Sequence, residues 1–535
     1  MISEKRFLFS SFPILVLGAT TSFSCQQKEP GDKNGLPNIV IIFADDMGYG
    51  DVSALNPDAK VSTPAIDQLA DNGIIFTNAH ASGSVCTPSR YGLLTGRYAF
   101  RRQESEGSAP WGYLPPFIES GRETLATILK KKGYTTACIG KWHLGLTWPT
   151  TDGYGNVKVL DKKTRRTNIE YEKPVLGGPN DYGFDYSFIH PASTDMPPYM
   201  FLRNTQVVDP EIVLTTDVYT SIFEKTKLDW DSNKVDTNEG DVYWGRGVWW
   251  RRGEMSRSFR LEECLPRILD EGLSYIERQV IEHPTNPFFL YLSLTGPHTP
   301  WLPSKPFDGK SSMEYYNDFI MDIDNVVGQV TKTLKELGAD ENTIVIFSSD
   351  NGAPWPKEDI ERYSHNSNQG RRGQKGDVWD GGHHIPLIIS WPSNIHPGNK
   401  YDHLVSLTDV FATFAELTGQ DLSDESSEDS FSFFHVLEGK TDKITRSDSM
   451  MIHHSSGGLY GIRKNGWKYI DGLGSGGFTA PGRVQPLPGG PTGQLYNIND
   501  DPLESENLFQ ENKQIVNELK RKLDTIIKQG HSRLK

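Results

Sequence analysis

Three groups of residues have the types and spacing to do chemistry. Cys86, Pro88 and Arg90 form a C-x-P-x-R arrangement within the stretch 84–97, SVCTPSRYGLLTGR. A cysteine placed just before a proline-started helix lies beside backbone N–H groups without helical partners, at the positive end of the helix dipole. Such a position favours an anionic group and suits a nucleophile aimed at a negatively charged substrate. A lone cysteine is as readily a buried structural residue, so spacing alone leaves both readings open. The second group is two pairs of oxygen donors, Asp45-Asp46 and Asp350-Asn351, each closing an apolar run. Four such donors at one sheet edge repel one another unless a cation lies between them, and an oxygen-only set suits calcium or magnesium better than zinc. The alternative is that one pair caps a following helix. The third group, Lys141, His143, His298 and Lys375, falls at strand ends or in adjoining loops. Two lysines can meet a tetrahedral oxyanion, and two histidines can act as acid and base near neutral pH. Singly, each reads as an ordinary satisfied polar residue.

Bringing these groups together requires strands that end side by side. The run 38–44, NIVIIFA, is continuous, apolar and β-branched, the pattern of a strand buried on both faces of a parallel sheet. The spacing predicts helices over 64–73 (capped by Thr63), 122–133, 261–282, 313–337 and 407–419, and strands over 74–78, 135–140, 288–294, 343–348 and 386–390. Alternating strands and helices imply right-handed βαβ units, hence an α/β fold with a large, mostly parallel sheet sandwiched by helices. The functional edge of such a sheet is at the carboxyl ends of its strands. The stretch 421–429 is acidic and serine-rich and reads as a solvated loop or linker. Short strands at 450–453 and 460–470, turning at Asn465-Gly466, and a helix over 512–528 then form a smaller α+β subdomain with a short antiparallel sheet. The expected division is a signal at 1–25, a catalytic α/β domain at 36–420 and the C-terminal subdomain at 430–535. Between 145 and 253 no helical or strand period persists, and this insertion is a candidate substrate-selecting surface. Its segment 243–260, YWGRGVWWRRGEMSRSFR, reads either as a grip for a sugar or anion or as an aromatic patch with solvated arginines.

A chain of 535 residues exceeds one ordinary core. Its net charge of -14 argues against a nucleic-acid partner, so an anionic substrate must be met by local cations. Lys5 and Arg6 precede the apolar run 7–23 and Ser24-Cys25, the pattern of an export signal too short and serine-rich for a membrane span. Cys25 is either lost with a cleaved leader or is the acylated first residue of a bacterial lipoprotein. The expected location is therefore the periplasm or, through a lipid anchor, the cell envelope. Without Cys25, the remaining Cys86, Cys138 and Cys264 are odd in number, which argues against a disulfide framework.

Taken with D-D-M-G-Y-G-D at 45–51, L-T-G-R at 94–97, G-K-W-H-L-G at 140–145, G-P-H at 296–298, S-D-N-G at 349–352, K-G-D-x-W-D-G-G at 375–382 and QLYNINDDPLESENL at 494–508, these groups resemble the type I, formylglycine-dependent sulfatases of the alkaline phosphatase superfamily. The resemblance implies a sulfuric ester hydrolase in which a maturation enzyme oxidises Cys86 to formylglycine. One hydroxyl of the hydrated aldehyde attacks the ester sulfur, and deprotonation of the other expels sulfate. It also implies one Ca2+ held by Asp45, Asp46, Asp350, Asn351 and the modified residue 86. Arg90 would support the diol, Lys141 and Lys375 would bind sulfate oxygens, His298 would contact substrate and protonate the leaving alcohol, and His143 would assist the second step. His384 stands where many relatives carry arginine, so local charge near the sheet edge is expected to be pH-sensitive. The stretch 192–199, ASTDMPPY, is similar to one in bacterial glycan sulfatases. It points to a sulfated carbohydrate, 6-O-sulfated galactose or N-acetylgalactosamine, with Asp195 in substrate binding. Two alternatives stay open. One is a phosphomonoesterase or phosphodiesterase of the same superfamily, which would place Ser or Thr at position 86 and use a two-metal site with His ligands. The other is a surface glycan-binding lipoprotein that has lost turnover.

Overall fold

The computed structural model describes residues 35–102, 112–162, 164–219, 247–311, 314–423, 425–446 and 450–533. The readings of the export signal and Cys25, and of positions 243–246, lie outside the described residues.

A ten-stranded sheet runs through Leu36–Lys535, which forms one compact unit. In chain order its strands are β1 (Asn38–Asp45), β2 (Ile74–Phe76), β3 (Thr135–Lys141), β4 (Tyr186–His190), β5 (Leu202–Arg203), β6 (Gln206–Val207), β7 (Phe288–Pro297), β8 (Thr343–Ser349), β9 (Leu387–Ser390) and β10 (Asn399–Tyr401). They lie in the order β10-β2-β9-β8-β1-β7-β3-β4-β5-β6. The central five, β8, β1, β7, β3 and β4, run parallel, while β9 and β5 pair antiparallel beside them.

The pleat of β1 explains why both faces are covered. Ile39, Ile41 and Phe43 enter one core with residues of α2 (Cys86–Thr95), α3 (Leu125–Lys130) and α6 (Asp409–Leu417). Val40, Ile42 and Ala44 enter the opposite core with α1 (Pro64–Asp71), α4 (Cys264–Glu282) and α5 (Glu314–Glu336). Each large apolar side chain buried in this way contributes roughly 1.5–3 kcal/mol. In the parallel register Phe43 faces Ser293 of β7 and Ser348 of β8, and Ser293 in turn faces Gly140 of β3. The carboxyl ends carrying Asp45, His298, Asp350 and Lys141 therefore emerge together.

Four antiparallel strands, β11 (Met451–His454), β12 (Tyr460–Lys464), β13 (Trp467–Ile470) and β14 (Gln494–Asn497), form a separate sheet. Val516, Leu519, Leu523 and Ile526 of α7 (Lys513–Gln529) pack on it. Asn465 and Gly466 have φ of 50° and 81°, as the two-residue turn between β12 and β13 requires.

The structure departs from the sequence reading in three places. The irregular insertion supplies β4, an interior strand too short, at five residues, to establish a period. The helix expected over 122–133 is confined to Leu125–Lys130, because Thr124 caps it by accepting from the Thr127 N–H at 3.2 Å. The stretch 421–429 is not a solvated linker at its end. Asp429 is fully buried against Arg101, and Glu428 pairs with Arg97 and Arg122. No helix among the described residues is long and apolar enough to cross a membrane.

Candidate active site

Asp45 is the last residue of β1, and the chain turns at Asp46 with φ of 69°, a left-handed conformation that Asp tolerates better than most residues. The turn is fixed by the Asp46 N–H donating to Asp350 Oδ1 at 3.1 Å and the Met47 N–H donating to Ser349 Oγ at 2.9 Å. Asn351 Nδ2 donates to Asp46 Oδ1 at 2.7 Å, and Asn351 Oδ1 is buried without a hydrogen-bond partner. Asp45, Asp46, Cys86 and His298 each place a ligand atom within 4.8 Å of the others. The two acidic pairs thus converge as their spacing suggested.

Cys86 is itself the first residue of α2, with Val85 as the N-cap, rather than preceding the helix. Its Sγ is 3.6 Å from Asp45 Oδ1. Burial pushes the thiol well above its ordinary range, outweighing the lowering by Lys141 and Lys375. The expectation that the helix end favours an anion at this position therefore fails for the sulfur: desolvation wins, and the unmodified thiol is a poor nucleophile.

Arg90, one turn further, is fully buried. Its Nε and Nη2 donate to Asp350 Oδ2 at 3.0 and 2.6 Å, its Nη1 donates to Ser293 Oγ and, at 3.4 Å, to Tyr291 Oη, and Nη2 is 3.6 Å from Asp45 Oδ1. Lys141 Nζ lies 2.6 Å from Asp45 Oδ2, and Lys375 Nζ lies 2.6 Å from Asp46 Oδ1. Burial alone would raise the Asp45 carboxyl, but Lys141, His298 and Arg90 hold it below its usual range, and Lys375 and His298 do the same for Asp46. Arg90, Lys141 and Lys375 therefore stand against the side chains of Asp45, Asp46 and Asp350 at the sheet edge.

His143, with φ of 53°, presents a buried Nε2 without a partner, and its Nδ1 is 3.5 Å from Ser193 Oγ. Burial, then Lys141 and Arg90, hold its pKa well below the usual histidine value, so the ring is neutral near pH 7 and its unpartnered Nε2 is open to a hydrogen-bond partner. His298 places Nε2 3.7 Å from Asp46 Oδ2, while its Nδ1 donates to the Thr299 carbonyl at 2.6 Å and lies 4.0 Å from Asp195 Oδ1. Asp195 Oδ1 is buried and accepts no hydrogen bond, whereas Oδ2 pairs with Arg251. Arg251 lies over Trp249, 5.0 Å from its ring centre, and is 8% exposed; in the 243–260 segment this arginine is not a solvated one. All the sequence-derived site residues thus gather at one edge.

His384 stands apart from them. It is buried, its Nε2 is 3.1 Å from the Thr77 carbonyl, and burial, then Arg371, keep it far below the usual histidine pKa. It belongs to a cluster with His80, His383 and His453, and its ring centre lies 4.4 Å from that of Tyr49 in the loop after Asp46. Ser293, Tyr291 and Ser349 were missed by sequence reasoning. The signal for the two serines was available: each is a polar residue near the carboxyl end of an otherwise apolar strand.

The chain matches the Sulfatase family model over residues 37–420. It is 32% identical over 518 residues to N-acetylgalactosamine-6-O-sulfatase of Bacteroides thetaiotaomicron, covering 94% of this chain and 95% of that protein. A Bacteroides thetaiotaomicron 6S-sulfatase structure from work on glycosaminoglycan metabolism superposes with a TM-score of 0.75 at 30% identity, over 92% of this chain and 99% of that one. The phosphonate monoester hydrolase of Agrobacterium radiobacter shares the fold, with a TM-score of 0.55 at 18% identity over 92% and 96% of the chains. The architecture and the clustered site define a hydrolase of the alkaline phosphatase-like class. Within that class the chain belongs to the sulfatase family, and it is a sulfuric ester hydrolase.

Proposed function

We propose that this enzyme removes O-sulfate from carbohydrates, with 6-O-sulfated N-acetylgalactosamine or galactose as its substrate, through formylglycine at position 86. The observation that carries the chemistry is the convergence of Cys86 with Asp45, Asp46 and His298, because an inert buried thiol in so charged a cluster has no use until it is modified. The substrate class rests on the N-acetylgalactosamine-6-O-sulfatase to which the chain is similar nearly end to end.

Asp45, Asp46, Asp350, Asn351 and residue 86 would hold one Ca2+. The donor set is hard, and the unpartnered Asn351 Oδ1 is an acceptor left for it. When bound, such a cation would supply fixed positive charge at the site. Lys141 and Lys375, each 2.6 Å from an aspartate oxygen of the site, would turn their ammonium groups to the sulfate oxygens. As the hydrated aldehyde, residue 86 would supply one hydroxyl to the ester sulfur, its proton passing to Asp45 as the bond from sulfur to the sugar oxygen breaks, and a second hydroxyl whose deprotonation would expel sulfate and re-form the aldehyde. His298 gives a proton to the departing sugar oxygen, and neutral His143 takes the proton from the second hydroxyl. Asp195, held by Arg251 with one oxygen left over, accepts a hydrogen bond from a sugar hydroxyl. The enzyme is exported, reaching the periplasm or an envelope anchor through Cys25, and depends on a formylglycine-generating partner.

The test is sulfate release from matched 6-O- and 4-O-sulfated N-acetylgalactosamine and galactose. Release from the 6-O esters is expected; turnover of the 4-O esters with the 6-O esters untouched contradicts the linkage.

A further inference from the structure

The D-D-M-G-Y-G-D run contains a third aspartate, Asp51, which takes no part in the chemistry described above, yet it is fully buried. Its Oδ2 accepts from the Gly48 N–H and from Tyr316 Oη, each at 2.8 Å, and its Oδ1 accepts from His365 Nε2 at 2.8 Å. His365 Nδ1 accepts from the Lys60 N–H at 3.3 Å, which assigns the proton to Nε2. The same segment touches the 46–51 loop again where the Gly50 N–H donates to the Ser367 carbonyl at 2.7 Å. Contact is backbone to backbone: a Cβ at Gly48 would fall 2.0 Å from Ser367 O, and one at Gly50 2.2 Å from Asn366 O.

The segment 365–369 also grips the second acidic pair. Asn368 Oδ1 accepts from the Ala353 N–H and its Nδ2 donates to the Ala353 carbonyl, both at 3.0 Å, two residues beyond Asn351. Trp355 Nε1 donates to the His365 carbonyl at 2.9 Å, and the Lys375 N–H donates to the Ala353 carbonyl at 3.2 Å. One stretch that offers no ligand is thus bonded to the loop after Asp46 and to the loop after Asn351, and the latter loop is bonded to the backbone of Lys375.

We propose that segment 365–369 is a clamp that sets the distance between the Asp45-Asp46 and Asp350-Asn351 pairs, with Asp51, His365 and Asn368 as positioning residues for the cation. The proposal rests on the divalent-cation reading of the site. Carboxylates repel, so loops that carry them spread unless something other than the cation holds them together. Direct bonds from the Asp46 N–H to Asp350 and from Asn351 to Asp46 already join the pairs, and the clamp adds a restraint from outside the ligand set, so that the cation would meet a preformed cage. Groups that orient ligands in this way are worth roughly 10- to 100-fold in metal affinity.

The experiment uses the full chain, stripped with a chelator and titrated calorimetrically with Ca2+ alone, alongside melting curves with and without Ca2+. For Asn368→Leu and Asp51→Asn, roughly 10- to 100-fold weaker Ca2+ binding is expected. The Ca2+-induced rise in Tm should shrink accordingly, and turnover should be restored by excess Ca2+. Where Asp51→Asn does not accumulate folded, Tyr316→Phe removes one bond to the same carboxylate without changing shape, and a several-fold loss is expected. Variants that melt lower but bind Ca2+ as tightly as the parent overturn the clamp and leave the cation reading standing. A parent protein that takes up no Ca2+ overturns both.

Discussion

At residue 86 the central question is why a thiol is placed where burial disfavours its ionisation. Burial raises its pKa more than Lys141 and Lys375 lower it, which favours the neutral thiol. A single hydroxyl at this position could attack a sulfate ester but could not expel the bound sulfate, since expulsion needs a second hydroxyl on the same carbon. Cys86→Ser is therefore expected to release at most about one equivalent of alcohol per enzyme from a chromogenic aryl sulfate and then stop, as covalent catalysis without breakdown requires. Stopped-flow absorbance reads this directly, and sustained turnover by the variant would remove the need for formylglycine. Asp45-Asp46 and Asp350-Asn351 were legible because each pair closes an apolar run, and Cys86 and Arg90 because of their C-x-P-x-R spacing; Lys375 and Asp195 lie in loops without such contrast and were reached through the motifs around them. Asp51, His365 and Asn368 were not. They act through hydrogen bonds between loops distant in sequence, and SHNSNQG at 364–370 carries no period and no apolar contrast.

Among the elements, the long parallel strands were readable from continuous apolar runs, since burial on both faces suppresses alternation. β4 was hidden by its length, and β5 and β6 contribute two residues each. The acidic stretch misled for a different reason: composition records charge, not partners. Asp429 accepts from Arg101 Nε at 2.7 Å, the Tyr98 N–H at 2.9 Å and Ser532 Oγ at 2.6 Å, tying the end of that stretch to the segment after α2 and to the chain's last described residues. Asp429→Asn leaves Arg101, 2% exposed, without its counter-charge. Removing one partner of a buried pair costs roughly 3–5 kcal/mol. A clear fall in Tm by calorimetry is expected, and an unchanged Tm would show that the pair carries no net stability.

For the molecule as a whole, the sheet β11–β14 meets the catalytic loops through buried histidines. Arg463 of β12 donates to His80 Nε2 at 2.7 Å, Lys468 of β13 lies 3.3 Å from His383 Nε2, and His453 of β11 stacks on His383 with ring centres 3.9 Å apart. Asp380 lies between Arg463 and Lys468, with Arg371 and Glu504 close by. Burial, assisted by these cations, holds His80, His383, His384 and His453 well below the ordinary histidine pKa, so all four are neutral near pH 7. The unfolded chain binds protons near pH 6.5 and the folded chain does not, so their contribution to stability is complete above that pH and is lost as pH falls toward the folded values. Each histidine titrating only in the unfolded chain costs up to about 1.4 kcal/mol per pH unit over that window. Melting temperature is expected to fall steeply between pH 7 and pH 5, and less steeply in His453→Asn, whereas equal slopes would place the acid sensitivity elsewhere. His384, whose ring centre lies 4.4 Å from that of Tyr49 in the loop after Asp46, is thus one member of a buried histidine group at the sheet edge that the C-terminal sheet also contacts.

The most direct measurement is the mass of the tryptic peptide 61–90 from enzyme purified from its own host and shown to release sulfate. The account predicts that this peptide carries an aldehyde in place of the Cys86 CH2SH group and is shifted further by a carbonyl reagent. An active preparation in which position 86 is wholly an alkylatable thiol would contradict it.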